Sequence, residues 1–198
     1  MIFYRRKHLL MRLAILGCAL IVYVFAAHAQ EPFVTIDGDA KSTAWWVLAD
    51  FHPSTAEVRG IPAAKIRKSW CKATEFRKDL LPREFALNED GTDALEGYSF
   101  ELEGSFDGSA TKQVALVGVY EECSGKRGRF FMVLDLPAAG APRIRLLDAH
   151  LMAHQFGALK LEEDNTITVM SCMDCDDYAM LRWDRKRRKF VWSYPSYE

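Results

Sequence analysis

From residue 97 to residue 192 the apolar positions either alternate with polar ones or run unbroken for a few residues, and almost nothing recurs at helical spacing. Tyr98, Phe100 and Leu102 alternate with Ser99, Glu101 and Glu103, which predicts a half-buried strand. Residues 114–120 and 130–134 are nearly all apolar, as central strands covered on both faces would be. Shorter strands are predicted at 144–147, 158–162, 166–170, 178–183 and 190–192. Phe106-Asp107-Gly108-Ser109, the loop 124–128, the connection 137–142, and the tight joints 163–165 and 184–188 supply the turns.

Residues 30 to about 95 are a mixed lead-in of helix and loop. Trp45, Trp46, Val47, Leu48 and Phe51 form a strand-like run ending at His52-Pro53. Pro62 stands where a first helical residue would. Ala63, Ile66, Trp70 and Ala73 then recur at helical spacing, with Lys65, Arg67, Lys68 and Lys72 mostly elsewhere on the wheel. That predicts one amphipathic helix over 62–76. The fold class that follows is α+β, predominantly antiparallel β: a meander closing as a barrel or sandwich, with one N-terminal amphipathic helix. Residues 30–198 are one globular domain, with the lead-in at 30–95 and the meander at 96–198.

The start of the chain changes where this domain is expected to work. Arg5, Arg6, Lys7 and Arg12 precede the apolar run LAILGCALIVYVFAA, which ends at Ala27-His28-Ala29. That is the layout of a cleavable signal peptide over 1–29. The apolar run is short for a bilayer span, which needs about 20 residues, and it continues past Cys18, which argues against acylation there. The leader holds four basic residues and no acidic one, so its loss leaves 22 basic against 27 acidic residues. Such a chain has no general pull on nucleic acid, and its contact with a membrane is expected through the signal peptide alone. Neither asparagine, Asn88 or Asn165, begins a glycosylation sequon. The expected location is the periplasm or the extracellular space, with a bacterial envelope favoured.

An exported chain with Cys71, Cys123, Cys172 and Cys175 is expected to form disulfides. Of the three pairings, Cys172–Cys175 with Cys71–Cys123 is favoured, because the first two are already neighbours. The Cys172-Met173-Asp174-Cys175 motif also has the spacing of a redox dithiol. Asp176-Asp177 beside it would raise thiol pKa and make a poor redox centre.

The remaining candidates compete with blander readings. His150 and His154 with Asp148 could serve a hydrolase or a metal, but the glutamate of a zinc-protease helix motif is missing and one CxxC is too few for a zinc cluster. Asp174, Asp176 and Asp177 lack the glycine and distal Glu of a calcium loop. No metal and no cofactor is called for. Arg182, Arg185, Lys186, Arg187, Arg188 and Lys189 form the densest charge. They read as a solvated hairpin tip, paired with the nearby acidic joint, or as a patch for an acidic partner. Trp45, Trp46, Trp70, Trp183 and Trp192 raise the idea of carbohydrate stacking beside that of core packing. The stretch GSFDGSATKQVALVGVY with GRFFMVL resembles one blade of an FG-GAP or similar β-propeller repeat; that family's calcium loop needs several carboxylates, and only Asp107 stands here. There is no nucleophile elbow, phosphate loop or dinucleotide fingerprint.

The function these residues predict is an exported, disulfide-stabilised, non-catalytic protein that binds an envelope protein or ligand, of inhibitor, immunity or accessory type. Its expected contact surface is the basic hairpin with the adjacent CMDCDD joint. The rivals are an envelope hydrolase using the His150/His154/Asp148 region and a dithiol redox protein.

Overall fold

The computed structural model describes residues 32–38, 43–86, 91–152, 154–173 and 177–195; the expected signal peptide lies outside them. The elements are, in order, β1 (Val34–Ile36), α1 (Trp45–Leu48), β2 (Ala49–Phe51), β3 (Glu57–Val58), β4 (Ile61–Pro62), α2 (Ala63–Ile66), β5 (Trp70–Glu75), α3 (Arg83–Ala86), β6 (Glu101–Gly104), β7 (Lys112–Glu122), β8 (Arg127–Leu136), β9 (Arg143–Leu151), β10 (Ala158–Leu161), β11 (Ile167–Met170), β12 (Tyr178–Asp184) and β13 (Lys189–Ser193). Every strand pairing is antiparallel.

Two sheets carry the architecture. The first runs β5-β7-β8-β9, with β6 also on β7; the second runs β10-β11-β12-β13. One β-bridge, Ser99 to Leu159, ties the approach to β6 to the second sheet. No closed barrel forms among the described residues. The reason lies in the pairing: β9 and β10, consecutive in the chain, belong to different sheets, so the meander breaks there instead of continuing round.

The central stretches of β7 and β8 are apolar because each face covers a different core. Ala115, Val117, Val119, Phe131 and Val133 join Leu159, Ile167, Val169 and Leu181 of the second sheet in one cluster. On the opposite face Val114, Leu116, Phe130 and Met132 pack against Val58, Ala63, Ile66 and Trp70. The first cluster is completed by rings from the lead-in, with Phe51 on Phe76 at 4.7 Å and Trp45 stacked on Phe85 at 5.0 Å. Two glycines permit the closest approaches. A Cβ on Gly118 would strike the Thr74 carbonyl oxygen and the Phe130 ring, and one on Gly128 would strike the His150 carbonyl oxygen and Tyr120.

The expected helix over 62–76 is corrected. Only Ala63–Ile66 is helical, and Trp70–Glu75 is a strand on β7. All four residues that suggested the helix are buried in the same cluster. Trp70 pairs with Glu122 and Lys72 with Glu121, so Cys71 is the extra residue of a β-bulge. The bulge puts two residues three apart, Trp70 and Ala73, on one face, and that spacing imitates a helix. The strand-like run at Trp45 likewise begins as the single helical turn α1 before β2. Strand β9 extends from Arg143 to Leu151, so Asp148 and His150 sit on a strand that runs past the 144–147 expected for it.

Candidate functional site

The bulge at Cys71 also places the first disulfide. Cys71 and Cys123 are bonded, with Cα atoms 5.0 Å apart, and the Cys123 N–H donates to the Ser69 carbonyl at 2.9 Å. Both cysteines are solvent-exposed. Cys172 is disulfide-bonded too; Cys175, its expected partner, and Asp174 and Asp176 lie outside the described residues.

The basic residues 182–189 shape the β12–β13 hairpin. Asp184 closes its turn by accepting the N–H groups of Lys186 at 2.9 Å and Arg187 at 3.0 Å. Those N–H groups and the nearby arginines hold the Asp184 carboxyl below its ordinary pKa. Arg187 approaches Asp184 at 3.6 Å, whereas Arg185, Lys186, Arg188 and Lys189 are exposed and have no ion pair among the described residues. The acidic neighbours come from the β10–β11 turn: Arg182 acts on the Asp164 carboxyl. Of the acidic joint expected beside this tip, Asp177 is described, and it precedes the opposite end of β12, seven residues from Asp184 or about 23 Å at ~3.3 Å per residue.

That opposite end opens into a cleft of about 230 Å³ between the two sheets. Arg129 and Phe131 of β8 and Asp148 and His150 of β9 share one face of the first sheet, since Arg129 pairs with His150 and Phe131 with Asp148. Phe131 belongs to the core between the sheets, so Arg129 lies where that core gives way to polar groups. Its guanidinium donates to the Phe156 carbonyl oxygen and to Ser171 Oγ, the latter at 3.1 Å. Burial draws the Arg129 pKa below its ordinary value, against the pull of the Asp177 and Asp148 carboxylates. His150 Nε2 lies 2.7 Å from Asp148 Oδ1. Tyr178, Trp192 and Tyr194 supply aromatic wall.

The cleft therefore collects Asp148, His150 and Asp177 from the candidates, and leaves out His154, which is exposed. Among the described residues no group of three or more His, Cys, Asp or Glu side chains is placed to hold a metal ion. Of the tryptophans, Trp45 and Trp70 are core residues, Trp183 packs on Phe190 at 5.0 Å, and Trp192 packs on Phe131 at 5.5 Å while also lining the cleft. Sequence reasoning passed over Arg129, and a signal for it existed. It has the same strand parity as Phe131 and Val133, so it is a charge on a core-facing position.

The Phe106–Ser109 turn holds no propeller-type ion loop. Asp107 caps it through the Ser109 N–H at 2.9 Å and faces Arg145 at 3.3 Å. Comparison with family models, curated proteins and solved structures finds no match to this chain. Its function is argued from its own residues.

Proposed function

We propose that this chain is an exported, disulfide-stabilised binding protein that acts without catalysis on an envelope protein, as an inhibitor, immunity factor or assembly accessory does. Its contact surface is the basic tip of the β12–β13 hairpin. The observation that carries the reading is the tip itself, where a hydrogen-bonded turn presents Arg185, Lys186, Arg188 and Lys189 to solvent without ion pairs among the described residues. A cluster of cations on a hydrogen-bonded turn suits an acidic partner surface, because the backbone that carries it is set before contact. The exposed Cys71–Cys123 bond supports export, since cytosolic thiol systems keep such cysteines reduced.

The test is cross-linking in the envelope of cells that produce the full chain with its leader. Charge reversal at Arg185 and Arg188 spares Arg187, which pairs with Asp184. It should lower the yield of the partner adduct about tenfold, equivalent to ~1.4 kcal/mol of binding, with Tm unchanged. Recovery of the protein from the cytosol with Met1 in place, or an unchanged adduct, overturns the proposal. The hydrolase reading keeps one observation in its favour, the 2.7 Å contact of Asp148 with His150, because a carboxylate that orients an imidazole is how a general base is prepared. Ester or glycoside turnover by the purified chain, abolished in His150→Ala, would select it.

A further inference from the structure

We infer that the cleft between β8–β9 and β11–β13 binds a single neutral sugar ring, independently of the basic hairpin at the far end of β12. The argument starts from charge. An anion entering the cleft meets the Asp148 and Asp177 carboxylates; a cation meets the Arg129 guanidinium. The wall carries both signs, two carboxylates against one guanidinium, so a ligand of either full charge meets a like charge there. A neutral ligand that both donates and accepts hydrogen bonds is compatible with every group present.

The polar groups suit vicinal hydroxyls. Asp148 and Asp177 accept, Arg129 donates, and the Ser171 and Tyr178 hydroxyls do both. Ser171 Oγ already accepts from Arg129, which leaves its own proton to donate. The apolar part is aromatic, and rings offer area to the C–H face of a sugar at little entropic cost. Tyr194 is 70% exposed and stands two residues beyond Trp192, on the same side of the chain.

Size narrows the class further. A volume of about 230 Å³ is below the ~300–1,000 Å³ of a site for a drug-sized molecule. It admits one ring and not an oligomer.

The experiment uses the full mature chain with glucose, galactose, mannose and N-acetylglucosamine, and with putrescine and inorganic phosphate as charged counterparts. Binding is read by saturation-transfer NMR and tryptophan fluorescence. At least one sugar should bind, with a Kd of about 1 mM, the weak end of the affinity scale. Tyr194→Ala, at an exposed position, and the isosteric Asp148→Asn should each weaken it at least tenfold with Tm retained. No sugar binding overturns the inference. So does sugar binding that both variants leave intact, and so does binding of putrescine or phosphate in place of the sugars.

Discussion

Removing the Cys71–Cys123 bond should cost this domain about 4 kcal/mol. The two residues are 52 apart in sequence, and cross-linking a loop of that length lowers the entropy of the unfolded chain by roughly 14 cal/mol/K in the loop-closure model, hence the ~4 kcal/mol at 25 °C. The native side adds little to this figure, because both cysteines are exposed and their replacement opens no cavity. For a domain of this size each kcal/mol moves Tm by about 2–4 °C, so the expected fall is ~8–16 °C. The assay is thermal unfolding of the wild type and of the double variant Cys71→Ala/Cys123→Ala, followed by tryptophan fluorescence. The double variant isolates this bond, whereas a reductant would also open the bridge at Cys172. A fall of less than about 3 °C would refute the reasoning: the unfolded chain would then keep residues 71 and 123 close without the bond, and there would be no loop entropy to recover.

Gly118→Ala should destabilise by about 3 kcal/mol or more, measured by urea denaturation, because the new methyl group meets a backbone carbonyl that cannot turn away. Arg145→Met should cost about 3 kcal/mol, seen as a Tm lower by ~6–12 °C, because it strands the Asp107 and Asp135 carboxylates, which are 5% and 14% exposed. The acid limb of the stability curve should also respond at Asp107. Burial alone would raise its pKa, but hydrogen bonds from Ser109 and the Arg145 charge outweigh burial and leave it below the ordinary value. A carboxyl with a depressed folded pKa stabilises above its unfolded pKa of about 3.9 and loses that contribution as pH falls through the lower folded value. Asp107→Asn should therefore flatten the stability profile below about pH 4, and a profile of unchanged slope would remove Asp107 as its source.

How much of this was legible depended on whether a residue's environment was local. The strands β7 and β8 could be read directly, because burial on both faces leaves an unbroken apolar run. Strand β9 was read short: as an edge strand it carries Arg143, Arg145, Asp148 and His150, and its polar positions look like a loop. The helix over 62–76 was misread for a definite reason, since a bulge at Cys71 converts period two into a step of three. In the cleft, Asp148 and His150 were legible as chemistry. Asp177 and Trp192 were legible as candidates too, but not as their neighbours, because pairing within one sheet and packing between two sheets bring them together from about 30 and 40 positions away.

Two arginines reach the space between the sheets, and the difference between them separates scaffold from site. Val133 pairs with Leu146 and Leu134 with Ile144, so Arg145 is the extra residue of a second bulge, a device that re-aims a side chain. It meets Asp107 at 3.3 Å, Asp135 at 3.0 Å and the Trp183 ring at 5.5 Å. Those two carboxylates neutralise it, and Gln113 Nε2 donates to Asp135 at 2.8 Å, so the group is closed upon itself. Arg129 donates to the Phe156 carbonyl oxygen and the Ser171 hydroxyl, and the Asp148 and Asp177 carboxylates that line the cleft with it act on its charge. Arg145 thus belongs to the scaffold between the sheets, whereas Arg129 stands in the wall of a cleft that opens to solvent.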